Sequence, residues 1–226
     1  RKVPGFFDGE FVVQDQSSCL AVKAAGINEG DLVVDVCAAP GGKTMYAAML
    51  TGSEGHVISR DLIDKKTELI EENIERLGLS NVTVQVHDAR EFDEELTGKA
   101  DVVIADLPCS GLGIMGRKND IKYHVSMESV KELAQLQREI LDTVCRYVKP
   151  GGTLVYSTCT IDSIENDENA VWFADTHDFS LCGIDDVVPE HGGERGFVTL
   201  HQGIDECDGF FISKFRADSN NQIGQE

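Results

Sequence analysis

The chain has 226 residues, 41% of them hydrophobic, which suffices for a core and excludes a globally disordered chain. Its 40 acidic and 20 basic residues give a formal charge of −20, which at first sight argues against a nucleic-acid partner. The seven cysteines, at 19, 37, 109, 145, 159, 182 and 207, are odd in number and lack a C-x-x-C spacing. That excludes a secreted disulfide framework or a zinc ribbon and favours reduced thiols in the cytoplasm. No apolar run approaches the length of a membrane span, no signal peptide opens the chain, and the six histidines are scattered. Neither a membrane nor a metal is therefore expected, and a monomer is the default. The chain begins at Arg1, so it is expected to be a piece whose upstream part is missing.

Strand-like and helix-like segments alternate along the chain. Leu32–Val36 is a short apolar run after the turn signal Glu29-Gly30-Asp31 and predicts a buried strand. Lys43–Leu50 follows Gly41-Gly42 and predicts a helix, and His56–Ser59 a second strand. Asp64–Leu77 carries apolar residues at 69, 70, 74 and 77, a helical spacing ended by Gly78. Val82–Val86 and Asp101–Ala105 are β-branched or buried strands. Ser126 is placed to cap a long helix over Met127–Val148, stopped by Pro150-Gly151-Gly152. Thr153–Ser157 predicts a strand and Glu165–Ala174 a helix. Phe197–Leu200 and Phe210–Phe215 flank Gly209 as late antiparallel strands, and the polar stretch 217–226 is expected to fray. The alternation implies an α/β fold with a mostly parallel sheet covered on both faces. Ligands of such sheets bind beyond the carboxyl ends of the strands.

The residues just after each strand are therefore the candidates. Cys37-Ala38-Ala39-Pro40-Gly41-Gly42-Lys43-Thr44 joins the first strand to the first helix, where small residues admit a ligand and the helix start offers free N–H donors. It is neither a P-loop nor a G-x-G-x-x-G fingerprint. Asp61 ends the second strand, where an acidic side chain often holds ribose hydroxyls, and is equally readable as a solvated carboxylate or cap. Asp88 follows the third strand, also readable as a cap. Asp106, at the mouth of a buried strand, is costly unless it has a task. A small-residue loop with these carboxylates suits S-adenosylmethionine, whose sulfonium and amino groups are cationic.

Cys109, in Asp106-Leu107-Pro108-Cys109-Ser110-Gly111, and Cys159, in Ser157-Thr158-Cys159-Thr160, follow strands at the same edge. A lone cysteine is more often a small buried hydrophobe than a nucleophile. These two lie on loops among polar residues, which weakens that reading. Methylation at a ring carbon is the chemistry that uses a thiolate here. A thiolate added to C6 of cytosine makes C5 nucleophilic, provided nearby positive charge favours the thiolate. Lys43 and the basic stretch of Arg117, Lys118 and Lys122 are the candidates to supply it.

From about Gly5 to Arg216 the chain resembles the RNA (cytosine-5)-methyltransferases of the ribosomal RNA small-subunit methyltransferase B (RsmB, or Sun) type. The resemblance rests on Val13-Gln14-Asp15-Gln16-Ser17-Ser18, Cys37–Thr44, Asp106–Gly113, Asp120-Ile121-Lys122, Ser157–Thr160 with Glu165-Asn166, and Asp208-Gly209-Phe210-Phe211. It implies a Rossmann-like class I S-adenosylmethionine-dependent methyltransferase fold, with a seven-stranded sheet, over residues 1–216, of which 1–28 are a lead-in. It implies Cys159 as the nucleophile and Cys109 as the cysteine that aids product release. It implies a cofactor site of Cys37, Ala38, Ala39, Pro40, Gly41, Gly42, Lys43, Asp61, Asp88 and Asp106, with Lys43 and Asp106 also near the reacting centre. The partner implied is RNA, small-subunit ribosomal RNA by preference. Another methyltransferase substrate, or a non-catalytic RNA-assembly role, are the alternatives. Full-length bacterial members carry an upstream helical RNA-binding domain, to which nothing here corresponds. His201-Gln202-Gly203 stands where a proline is common, and Met115-Gly116 and Asn119 where a more basic run is. Fifteen acidic and three basic residues lie from Ile161 to Glu226, beyond the loops expected to build the cleft. The charge thus predicts weak RNA binding by this chain alone, with the upstream part supplying basic surface.

Overall fold

The structure, a computed structural model, describes residues 3–188 and 193–219. Strands β1 (Leu32–Asp35), β2 (His56–Asp61), β3 (Val82–Val86), β4 (Ala100–Asp106) and β5 (Val148–Thr158) are parallel. β8 (Phe210–Ala217) pairs antiparallel with β5, and its other edge carries β6 (Phe179–Leu181) and β7 (Phe197–Leu200). β6 lies beside Phe215–Ala217 and β7 beside Phe210–Ser213, so the two share one edge position end to end. The order is β3-β2-β1-β4-β5-β8-β6, and eight strands fill the seven positions expected.

Helices α1 (Gln16–Ala25), α2 (Gly42–Thr51), α3 (Asp64–Leu77), α4 (Ile121–His124), α5 (Met127–Val144) and α6 (Asp167–Thr176) complete the fold. Successive residues of a strand face opposite sides, so a buried strand builds two cores at once. Val33 packs with Ala21 of α1 and with Ala47 and Ala48 of α2. Its neighbour Val34 faces the opposite core, which also holds Leu141 and Val144 of α5 and Phe173 of α6. The caps follow the side chains available. The Asp15 carboxylate accepts the Ser17 N–H at 3.1 Å to start α1, and Ser126 and Ser129 form a reciprocal capping box for α5.

Two expectations are corrected. α5 ends at Val144, followed by a 3₁₀ turn over Cys145–Tyr147, because the Tyr147 ring and Val148 are drawn into the core. Pro150-Gly151-Gly152 do not stop that helix. They form an irregularity within β5, whose pairing jumps from Val148 opposite Ala100 to Thr153 opposite Val102. β8 extends to the buried Ala217, and 220–226 of the expected tail lie outside the described residues. No helix among the described residues is long and apolar enough to cross a membrane.

Candidate active site

The carboxyl ends of β1, β4 and β5 lie side by side, with Asp35 registered to Ile104 and Asp106 to Ser157. The chain leaves β1 toward β2 and returns to β4 on the other side, so these ends form the switch-point cleft. The loop after β1 is pinned by backbone bonds from Val36 to Ile104 (3.1 Å) and from Ala38 to Arg60 (2.8 Å). Gly41 turns it into α2 with φ of 101°, a conformation that side chains resist. The Asp61 carboxylate accepts the N–H groups of Ala39 and Ile63, each at 3.2 Å, and so braces this loop against the start of α3.

Beside Asp61 opens a cavity of about 200 Å³ whose walls include Cys37, Leu62, Ala89, Pro108 and Leu136. Asp88 stands at its edge. The Arg90 guanidinium (2.7 Å) and backbone N–H (2.9 Å) hold the Asp88 carboxyl below its ordinary range. The apolar walls with a carboxylate at the rim match a flat, polar-edged ring.

Asp35 is a site residue that the sequence reading missed. It is fully buried at the end of β1, where the Thr44 hydroxyl donates to Oδ2 at 2.7 Å and Oδ1 has no partner. Burial pushes its carboxyl up to about 7, with the nearby Asp106 and Asp61 adding to the rise. Three carboxyl groups therefore gather at the ends of β1, β2 and β4, and Lys43 is the cation that faces them. Such a cleft favours a positively charged ligand.

The Lys43 ammonium sits 2.6 Å from Asp106 Oδ2 and 3.4 Å from Ser18 Oγ, while Ser157 Oγ donates to Asp106 Oδ1 at 2.8 Å. Beyond this pair the two cysteines meet, with Cys109 Sγ 3.2 Å from Cys159 Sγ. The hydrogen bond from Cys109 holds the Cys159 thiol below its ordinary range, with a further contribution from Lys43, against the opposing effects of burial and Asp106. The same bond, with burial, holds Cys109 well above its ordinary range. The asymmetry favours ionisation of Cys159 before Cys109. Cys145 and Cys182 hydrogen-bond instead to the carbonyls of Asp142 (3.4 Å) and Ser180 (3.7 Å). Arg117 binds Asp15 (2.6 Å) and Asp208 (2.9 Å), tying the lead-in and the segment before β8 to the rim.

The Cys159 loop is held by backbone contact. Gly113 N–H donates to the Cys159 carbonyl at 3.0 Å, and Gly209 N–H to the Gly113 carbonyl at 2.9 Å. A methyl group on Gly113 would overlap the Gly209 carbonyl oxygen. Gly113→Ala is expected to cost about 3 kcal/mol, lowering Tm by roughly 6–12 °C in thermal melts. A Tm within about 1 °C of wild type would show that these backbones are not pressed together.

Every predicted site residue lies along this one edge, and among the described residues no group of three or more His, Cys, Asp or Glu is gathered as for a metal. The profile of 16S rRNA methyltransferase RsmB/F matches residues 23–216. The chain is 42% identical over 220 residues to the probable ribosomal RNA small subunit methyltransferase B of Bacillus subtilis (strain 168), covering 93% of this chain and 48% of that protein. It is 35% identical over 215 residues to ribosomal RNA small subunit methyltransferase F of Escherichia coli O7:K1, covering 92% and 45%. It therefore spans about half the length of these curated relatives. NSun6 from Pyrococcus horikoshii, solved with SFG, superposes with a TM-score of 0.82 at 30% identity, over 95% of this chain and 55% of that one. The extent of the profile match, together with the strand order, makes the chain a member of the 16S rRNA methyltransferase RsmB/F family, with the class I S-adenosylmethionine-dependent methyltransferase fold.

Proposed function

We propose that the chain transfers a methyl group from S-adenosylmethionine to C5 of a cytosine in small-subunit ribosomal RNA, through a covalent bond between Cys159 and C6. The observation that carries this reading is the 3.2 Å approach of Cys109 to Cys159 beside the Lys43–Asp106 pair. An enzyme that methylates nitrogen or oxygen has no use for a paired thiol and thiolate. Residues 1–216 are the catalytic unit, acting as a cytoplasmic monomer.

The residues fit the cofactor on physical grounds. The cavity beside Leu62, Ala89 and Pro108 suits the adenine, Asp61 the ribose hydroxyls, and the crowded carboxyl groups at β1, β2 and β4 the two cationic groups. S-adenosylmethionine, when bound, supplies an electrophilic methyl group on a sulfonium. The protein supplies the nucleophile and its alignment. Cys159 thiolate adds to C6 and shifts the electron pair of the C5–C6 double bond toward C5, which takes the methyl group. Water in the cleft then takes the C5 proton, and the electron pair left behind restores that double bond as the C6–sulfur bond breaks. Cys109, protonated and 3.2 Å away, donates its S–H to the departing thiolate and eases its release. The target base must leave any stack to enter the cleft.

Incubating the protein with unmethylated small-subunit RNA and methyl-labelled S-adenosylmethionine, then digesting to nucleosides, is expected to yield labelled 5-methylcytidine. Label found on any other nucleoside, or on none, would overturn the reading.

A further inference from the structure

We propose that Glu165 is the positioning residue that keeps the proton on Cys109 and so decides which of the two cysteines is the nucleophile. The inference rests on the reading of Cys159 as that nucleophile.

Glu165 is completely buried. Its Oε2 accepts the Ser110 backbone N–H at 2.9 Å and the Gln137 side-chain amide at 2.9 Å, and its Oε1 accepts the Ser110 hydroxyl. All three partners donate, which is the set an ionised carboxylate takes. Ser110 directly follows Cys109, and Gln137 also donates to the carbonyl of Pro108, which directly precedes it, at 2.9 Å. The carboxylate is therefore clamped around the Cys109 segment. Among the described residues no ion pair neutralises it: Arg138 bonds Asn169 at 2.7 Å instead. In a dry interior such a charge disfavours a second anion close by.

The surroundings of the two thiols are accordingly unequal. Lys43 from α2 and Asp106 from β4 face Cys159. Glu165, from the segment before α6, and the Tyr156 hydroxyl of β5 stand on the Cys109 side. Ser110 Oγ also meets Thr160 Oγ1 at 2.8 Å, so the same cluster fixes the two cysteine loops to each other. The raised Cys109 and lowered Cys159 titrations agree with this asymmetry, and Glu165 contributes to the first.

The test is the initial rate of iodoacetamide alkylation of each cysteine against pH, on the intact chain with reagent below stoichiometry, read by peptide mass spectrometry. Each thiolate displaces iodide and forms one sulfur–carbon bond. In the wild-type chain Cys159 is expected to react first at pH 7. Glu165→Gln, nearly isosteric and neutral, is expected to speed Cys109 by about tenfold at pH 7, its rate profile moving about one unit toward acid, and to erase the preference for Cys159. Glu165→Asp, which keeps the charge, is expected to restore that preference. A merely structural glutamate would raise both rates together with no change of order in Glu165→Gln, and that result would overturn the proposal. So would a wild-type chain in which Cys109 reacts first, a result that needs no variant to fold. The experiment uses no RNA. Loss of the preference in Glu165→Gln together with 5-methylcytidine still formed by Cys159→Ser would leave the hold of Glu165 on the Cys109 proton standing and sink the nucleophile assignment instead.

Discussion

Cys159→Ser is expected to lower methyl transfer by on the order of 10⁴-fold, about 5.5 kcal/mol of barrier, with no covalent RNA adduct and an unchanged melting temperature. Serine keeps the shape and a polar contact to Cys109, but its hydroxyl is not ionised near neutral pH. Cys109→Ala is expected to give the opposite phenotype. Addition to C6 still occurs, while the departing sulfur has lost the S–H that lies 3.2 Å away, so the adduct accumulates as a gel shift that survives denaturation. The sign of the pH effect follows from the hydrogen bond. Cys109 is the leading cause that lowers Cys159, so its removal moves the Cys159 titration toward higher pH. The acid limb of single-turnover adduct formation in Cys109→Ala should accordingly lie at higher pH than in wild type. Full activity in Cys159→Ser would remove the covalent mechanism altogether. Absence of adduct in Cys109→Ala would remove the release role alone.

The parallel strands and the switch-point loops were legible in the sequence because each depends on a short local pattern. Leu32-Val33-Val34 and Val102-Val103-Ile104 are short apolar, β-branched runs that suit a strand buried on both faces, and the turn residues that follow them mark the strand ends. Once the strand ends are known, topology alone brings Cys37, Asp61, Asp106, Cys109 and Cys159 to one edge. What escaped depends on partners distant in sequence. β6 is three residues long and exists because β8 offers it an edge. α1 has a small apolar stripe, and its start is fixed by Asp15, which is also held by Arg117 from 102 residues away. Pro150-Gly151-Gly152 carry an ordinary stop signal, and only the neighbouring Ala100 to Val102 segment turns them into a strand irregularity. Asp35 and Glu165 were overlooked as site residues for a similar reason. A carboxylate shows its role only through the donors around it, and Thr44, Ser110 and Gln137 belong to other segments. The charge of −20 is partly explained by the cleft itself, where carboxyl groups outnumber the lysine that faces them.

That lysine carries the second large expectation. Lys43→Met is expected to lower the single-turnover rate by on the order of 10²–10³-fold, because two effects reinforce each other. The variant loses a cation that favours the Cys159 thiolate, and it frees Asp106 from its 2.6 Å partner to act against that thiolate unopposed. Both move the Cys159 titration toward higher pH, so the wild-type and variant rates should converge as pH rises from 7 to 9. Methionine preserves most of the packed length of a side chain that is only 11% exposed, so the fold should survive. Double replacement with Asp106→Asn separates the two contributions. If Asp106 acts mainly by opposing the thiolate, the double variant should recover part of the rate lost in Lys43→Met. If Asp106 instead touches the target base, it should fall further. A Lys43→Met rate within about threefold of wild type at pH 7 would mean that the thiolate is sustained by its bond to Cys109 alone.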